Sequence, residues 1–391
     1  MTHDAGALGS AIDQATESHP SVSAAQASAR AAGMDVRAAR WQRYPSFSVE
    51  GLLLDRRNNR AQAQAVVDQP LWTAGRITGA INRAGARENA ALAAYDEAVL
   101  FIAFSTAESF FEVHRLRLRI GILAQALARH QELVVTMERR VAQEVSPLSD
   151  LDLARSRALQ FEQQLYQVRA QEQAVLVRLR QLVGDPLYEP GAMPAAPESW
   201  PRLEDEVLAD ESFGFSPLLK RLRFESRAAA EDARVARASI LPQLSGQYSY
   251  SEFLGHRVGL VLRAQSEGGL SRFSAADAAR QRAQSVQFQI ETGERQLRNQ
   301  VYALLREYEA SSTRLPGSLA AAAASQRVTD SYMRQFISGR RTWLDVMNVL
   351  REAATADIDA LDARVSAQSS LARLLLLSGL WSPAERAEDA R

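Results

Sequence analysis

Four short stretches of the chain alternate polar and apolar residues with a period of two. Gln243, Ser245, Gln247, Ser249 and Ser251 interleave with Leu244, Gly246, Tyr248 and Tyr250, and Arg257, Arg263 and Gln265 with Val258, Leu260, Leu262 and Ala264. In the first half, Ala61, Ala63, Ala65 and Val67 interleave with Gln62, Gln64 and Asp68. Phe47, Val49 and Leu53 interleave with Ser46, Ser48 and Glu50, although Leu52 and Leu54 blur this last pattern. Such alternation is the mark of a strand with one apolar and one polar face. Polar turns at 55–60 and 253–256 join the strands into hairpins at 46–70 and 243–266. Each strand is about nine to eleven residues long, which a tilted membrane strand requires.

The rest of the chain reads as helix. After Trp72 no proline occurs until 147, which predicts a helix over 73–145, or about 105 Å at ~1.5 Å per residue. A second long helix is expected over 273–338, with a kink or short break at Pro316-Gly317. Helices of this length need neighbours along their whole length, and coiled-coil packing supplies them economically. Each ends in a sharp reversal. Ser146-Pro147-Leu148-Ser149-Asp150 turns the first, with Ser149 or Asp150 as the expected cap. The second reversal runs over 339–345. There Gly339 suits the left-handed end of a helix, Thr342 an N-cap, and Asp345 the free N–H groups of the next first turn.

The chain is written twice. Pro20, Arg30, Asp35, Arg37, Arg40 and Pro45 recur as Pro217, Arg227, Asp232, Arg234, Arg237 and Pro242, each 197 positions on. The offset then drifts to 195, matching Asp150 with Asp345 and Gly184 with Gly379. Residues 1–185 form one repeat and 217–380 the other, each a helix, a hairpin, a long helix, a tip and a return helix. Residues 186–216 read as a proline-rich linker and 381–391 as a tail.

Two readings of the hairpins stay open on this pattern: soluble hairpins packed on helices, or membrane strands. Four strands cannot close a barrel, and open edges are not tolerated in lipid. In the second reading several chains therefore share one barrel. Eight strands leave an interior filled by side chains, whereas twelve leave a lumen for the polar faces to line.

Composition narrows the choice of function. The formal net charge is zero, which gives no general attraction to nucleic acid. The absence of cysteine excludes disulfides, Cys-ligated zinc and thiol nucleophiles. No run of 18 or more apolar residues predicts a transmembrane helix, and Met1 to Gly6 carries no signal segment, so the protein is cytosolic or its signal has been removed. The five histidines show no metal spacing, and phosphate loops and nucleophile elbows are missing. No catalytic residue, metal site or cofactor is expected. His114 and His130 read as helix-surface or packing-seam residues. Arg115, Arg117 and Arg119 read as an interhelical salt-bridge belt rather than a nucleic-acid patch. Trp41 and Trp72 flank the first hairpin, as membrane-interface residues or as packing where strands meet helices.

The combination of helix, hairpin, long helix, tip and return helix, duplicated, resembles the TolC-type outer-membrane efflux and secretion proteins over nearly the whole chain. The most specific match is Gly339-Arg340-Arg341-Thr342-Trp343-Leu344-Asp345-Val346, similar to the family's second tip; Asp150, Ala154 and Arg155 anchor a looser match at the first. The resemblance implies a mainly α fold of long antiparallel hairpins with a small β part, whose four strands enter a twelve-stranded barrel shared by a homotrimer. It implies a location in the outer membrane of a Gram-negative bacterium, with a helical tunnel extending into the periplasm. The partners implied are outer-membrane lipid, a periplasmic adaptor (membrane fusion protein) and an inner-membrane ABC or proton-driven pump, with no nucleic acid. By position, Asp345 falls on the family's constricting ring. The second ring position is Asn348 rather than an acid, which halves the charge and weakens any cation block. A latch between the tips falls on Asp150 and Arg341, with Phe336 in place of a residue that can carry a hydroxyl. Adaptor docking falls on Ser146, Pro147, Leu148, Ser149, Gly339, Arg340 and Thr342. Glu144 replaces the first tip's usual glycine, with an altered turn expected. Arg341-Thr342 before Leu344-Asp345 looks like members serving type I protein secretion rather than drug efflux. The competing class is a soluble periplasmic coiled-coil adaptor or scaffold.

Overall fold

The computed structural model describes residues 6–53, 61–197, 200–251, 255–264 and 270–381. Leu54, the turn at 55–60, Phe253, Gln265 and the tail from 382 lie outside the described residues. Twelve elements follow in the order α1 (Gly6–Ser18), α2 (Pro20–Trp41), β1 (Ser46–Leu53), β2 (Ala61–Trp72), α3 (Arg76–Ala142) and α4 (Leu148–Val183), then α5 (Asp205–Phe215), α6 (Pro217–Ala238), β3 (Gln243–Ser251), β4 (Gly255–Arg263), α7 (Ser271–Ile337) and α8 (Trp343–Ser378). The two copies of the repeat match residue for residue in their helices. α3 and α7 are each 67 residues long, α4 and α8 36, and α2 and α6 22.

The chain divides into two compact units. One comprises residues 21–98 and 216–296. Its sheet is antiparallel in the order β1-β2-β3-β4. Directly opposed residues share a face, so the register tests the alternation read from the sequence. Phe47 faces Val67, which faces Tyr248, which faces Val258; Val49, Ala65 and Tyr250 follow in the next row. Leu244, Leu260 and Leu262 fall on that same face. Ser46, Asp68 and Gln247 line the other, with Ser48, Ser249 and Arg257, and Glu50, Gln64 and Ser251. On the polar face the Asp68 carboxylate accepts from Ser245 Oγ and Arg263 Nη2, both at 3.1 Å. The apolar face is bare: Phe47 is 70% exposed and Val258 84%. Below the sheet, α6 is tied to α3 by Arg83 and Arg87, each 2.9 Å from one oxygen of Asp232, and by Arg221 on Glu97.

The other unit comprises residues 1–20, 99–215 and 297–391. Its core is a helix-packing core, with Ile12, Phe110, Leu123, Leu179, Leu305, Tyr308 and Leu374 fully buried. One stretch of α3 is long and apolar enough to cross a membrane by composition alone. That stretch passes although the sequence contains no unbroken apolar run. About 39% of that stretch is buried, and α3 also places Ile102, Ala103, Ala107, Phe110 and Val113 in the core. The expected interhelical salt-bridge belt is present in part: Arg117 reaches Glu172 at 2.9 Å and Glu189 at 2.7 Å, and Arg115 joins Asp362 and, within its own helix, Glu112, whereas Arg119 Nε is buried without a hydrogen-bond partner among the described residues.

Two expectations are corrected here. Of the kink or short break expected at Pro316-Gly317, the break is absent, because α7 runs continuously through Pro316. The lost hydrogen bond and ring crowding cost about 3 kcal/mol, and burial of Ser311 and Leu315 on the same stretch holds the helix against that cost. Residues 186–216 are not only linker, because α5 lies within them and buries Leu208, Ala209 and Ser212. α5 repeats α1: α1 packs on α4 and α5 on α8. Ser18 sits against the left-handed Gly184 that ends α4, as Phe215 does against the left-handed Gly379 that ends α8.

Candidate functional site: the paired helical tips

Both reversals use one backbone motif. At the second tip Gly339, with φ +74°, lets its N–H reach Phe336 O at 3.0 Å while Arg340 N–H reaches Gln335 O at 2.9 Å. At the first, Glu144 N–H reaches Val141 O and Val145 N–H reaches Arg140 O, both at 2.9 Å. Glu144 therefore occupies the position of Gly339, and its φ of +58° is left-handed. The glycine's absence does not alter the turn, as the resemblance had implied. It charges the cost of the left-handed conformation to a residue with a Cβ.

The two return helices start differently. α8 opens on a full capping box: Asp345 N–H donates to Thr342 Oγ1 at 3.2 Å, and the Asp345 carboxylate takes Thr342 N–H at 3.3 Å and Thr342 Oγ1 at 2.8 Å. α4 has Pro147 at its N-cap, extended and with no side-chain cap, so neither Ser149 nor Asp150 caps it. Proline fixes φ and has no N–H to leave unsatisfied, which frees Asp150 for other work. Its Oδ2 accepts from Trp343 Nε1 at 2.9 Å, joining the two tips.

Under this link lies a small core of Leu133, Met137, Leu151, Ala154, Phe336, Val346, Met347 and Leu350. Phe336 is 4% exposed, and the Arg140 guanidinium stands 5.5 Å from its ring centre. Arg341 does not meet Asp150 within the chain. It lies over the Tyr332 ring at 4.3 Å, with Gln335 Oε1 at 3.4 Å and Asp345 at 3.9 Å. The sequence reading thus named Asp150, Arg341 and Phe336 but missed Trp343 and Tyr332, their partners in one chain. An indole at the first helical position, opposite a tip carboxylate, was the available signal. The tips leave Val145, Leu148, Ile337 and Leu344 exposed, an apolar rim beside Ser146, Ser149 and Arg340.

Asn348 lies one turn beyond Asp345 and lines a cavity of about 190 Å³ with Leu344, Met347, Arg351, Arg157 and Phe161. His130 also borders it, 1% exposed, with Nδ1 2.8 Å from Ala126 O and its ring 4.5 Å from that of Phe161. Burial, opposed by the Ala126 hydrogen bond and aided by Arg157, pushes its pKa below the ordinary 6.5. His130 is thus a packing-seam histidine. Among the described residues no group of three or more His, Cys, Asp or Glu could hold a metal.

A duplicated helical chain with bare hairpins and two joined tips is the fold of outer-membrane channel subunits. VceC of Vibrio cholerae, an outer membrane protein, is similar at 19% identity with a TM-score of 0.81, over 95% of this chain and 96% of its own. CmeC, an outer membrane channel of Campylobacter jejuni, is similar at 12% identity and TM-score 0.84, over 98% and 88%. MtrE of Neisseria gonorrhoeae, an outer membrane channel solved in its open state, gives 16%, 0.77, 95% and 88%. No match was found among curated proteins. Residues 11–185 match the family described as outer membrane efflux protein. That match covers the first repeat, and the fold of nearly the whole chain is the one these outer-membrane channels share.

Proposed function

We propose that the protein is the outer-membrane channel of a tripartite export system in a Gram-negative bacterium. Three copies build a twelve-stranded barrel, and substrate passes without chemistry from an inner-membrane pump, through the periplasm, to the exterior. One observation carries this reading: the register gathers Phe47 and Val49, Val67, Tyr248 and Tyr250, and Val258, Leu260 and Leu262 from the four strands on one largely bare face, with Val66 and Val261 as the exceptions on the other. In water such a face is a liability; against lipid, with polar residues turned to a lumen, it is what a barrel wall needs. Both sheet edges, β1 and β4, end without a neighbour in one chain, and lipid requires that they be paired.

The tips are the entrance. Three Asp345 carboxylates around an axis form a negative constriction that favours cations, and Asn348 adds no charge to it. Docking of a periplasmic adaptor falls on Ser146, Pro147, Leu148, Ser149, Gly339, Arg340 and Thr342, whose neighbours Val145 and Ile337 supply exposed apolar surface. Type I protein secretion, with an ABC pump, is the export route favoured by Arg341-Thr342 before Leu344-Asp345; drug efflux is the alternative. Detergent-extracted protein is expected to have the mass of three chains and to conduct ions in planar bilayers. A monomer soluble without detergent refutes the reading. Copurification with a proton-driven pump instead of an ABC pump refutes the secretion route alone.

A further inference from the structure

The cavity beside Asn348 lies in a groove between the two return helices. α4 lines it with Leu153, Arg157, Gln160 and Gln164, and α8 with Leu344, Asn348, Arg351 and Thr355. Both sets step by four, three and four residues, so each forms a stripe along one face of its helix. Leu123 of α3, Phe161 of α4 and Met347 of α8 are buried and give the cavity an apolar floor. Arg157 is half-buried and Arg351 exposed, so both guanidinium groups stay open to solvent at its edge.

The cavity carries positive charge without a counter-ion. None of its lining residues is Asp or Glu. Arg157 donates to the neutral Gln160 Oε1 at 3.1 Å, and neither Arg157 nor Arg351 has an ion-pair partner among the described residues. The local sequence explains why. Three and four residues to either side of Arg157 stand Leu153, Ala154, Gln160 and Phe161, and around Arg351 stand Met347, Asn348, Ala354 and Thr355. No acid is placed for an in-helix pair with either. Elsewhere the chain does the opposite: Arg115, Arg117, Arg221 and Arg306 each hold two carboxylates. Two unpaired guanidinium groups over an apolar floor are the complement of an amphipathic anion.

Volume limits the size of that anion. A dry cavity of about 150 Å³ holds benzene, and drug-sized ligands take about 300–1,000 Å³. At about 190 Å³ this cavity suits a single ring or a short alkyl chain. An inorganic anion would set its charge against Leu123, Phe161 and Met347 with nothing gained from them. A carboxylate on an apolar body satisfies both parts, because its two oxygens match the guanidinium fork. We propose that the cavity binds a small organic monocarboxylate, its carboxylate between Arg157 and Arg351 and its ring or chain against Leu123, Phe161 and Met347. Bound there, the ligand bridges α4 and α8 about two turns in from the second tip. The site lies within one chain and goes beyond the channel reading.

Benzoate is the probe. Titrated calorimetrically into the detergent-solubilised full chain, it is expected to bind saturably, one per chain, with a Kd on the order of 0.1–1 mM. The double variant Arg157→Gln/Arg351→Gln serves as the blank for uptake by detergent. Each single variant is expected to bind at least tenfold more weakly, as the loss of a charge-assisted hydrogen bond requires. Benzamide, of the same shape without the charge, is expected to lose at least as much on the unaltered protein. No saturable heat at tenfold higher benzoate overturns the site. Equal binding of benzamide overturns recognition by charge, and heat undiminished in the double variant places the ligand outside this cavity and overturns the assignment. A single-chain mass in detergent overturns the channel reading and leaves this site standing.

Discussion

Asp345 does two jobs in the proposed channel, and substitutions can separate them. As a cap it holds Thr342 N–H at 3.3 Å and Thr342 Oγ1 at 2.8 Å, and it faces Arg341 at 3.9 Å, an exposed pair. Losing the capping contacts costs about 1 kcal/mol, and losing the exposed ion pair about 0.2–0.5 kcal/mol. As a ring charge it acts on the permeating ion. For an ion passing about 7 Å from a carboxylate in a water-like dielectric, each such charge is worth about 0.6 kcal/mol, and three together about 2 kcal/mol. That corresponds to roughly 20-fold in local cation preference. Asp345→Asn keeps an acceptor for Thr342 and removes the charge, Asp345→Ala removes both, and Thr342→Ala weakens the cap and keeps the charge. Cation selectivity in planar bilayers should therefore fall equally in the two Asp345 variants and hold in Thr342→Ala. Urea midpoints should fall most in Asp345→Ala and Thr342→Ala. Unchanged selectivity in Asp345→Asn, with a change in Asp345→Ala, would show that the cap shapes the entrance and the charge does not.

Other substitutions test the tip and the seam beneath it. Glu144→Gly should stabilise the first tip by about 1 kcal/mol, since it removes a left-handed residue with a Cβ; a lowered urea midpoint would show that the turn is not strained. Phe336→Ala should destabilise the tip core by roughly 3–5 kcal/mol and expose the reversal to protease, whereas equal cleavage of variant and parent would remove Phe336 from that core. His130 has a lowered folded pKa, so the unfolded chain takes up its proton first. Its contribution to stability is whole above about 6.5 and declines as pH falls from there through the folded value. His130→Gln should flatten that decline in denaturation measured between pH 7.5 and 5.5, and an unchanged slope would assign the decline to other groups.

Much of this structure was legible because strand and helix periods are local. The alternation from Gln243 to Ser251 specified which residues share a face before any register was known, and the Gly339–Asp345 reversal carried its cap chemistry in order. Two kinds of feature escaped. The first was masked by composition: α5 sits in a proline-rich stretch, and its pattern is too short to announce a helix. The duplication nevertheless gave it away, because Ser18 moved by 197 lands on Phe215, the last residue of α5. The second kind is set by tertiary contact. Nothing local says that α7 survives Pro316, and nothing local says that Asp150 prefers the Trp343 indole to the Arg341 guanidinium. Those outcomes depend on what packs alongside, which the sequence of one helix does not contain.

The single-chain tip also constrains how a latch between Asp150 and Arg341 can work in the proposed trimer. In one chain each group is already engaged: Asp150 through Oδ2 with Trp343 Nε1, and Arg341 stacked on Tyr332. An exposed cation–π contact is worth about 0.5–1 kcal/mol, and an exposed ion pair about 0.2–1 kcal/mol. Forming the latch therefore exchanges one interaction for another of nearly equal strength, while Asp150 keeps its second oxygen for the newcomer. Two states so closely matched are poised for switching. Three latches give at most a few kcal/mol, so an adaptor burying the apolar rim of Val145, Leu148 and Ile337 can outweigh them. The weakness of the latch is then the property that lets docking open the channel, and a stronger pair at the same positions, such as one without Tyr332 to compete for Arg341, would hold the entrance shut. Tyr332→Ala should thus lower open-channel conductance in bilayers, and a rise in conductance would mean that Arg341 does its work on the tyrosine rather than on Asp150.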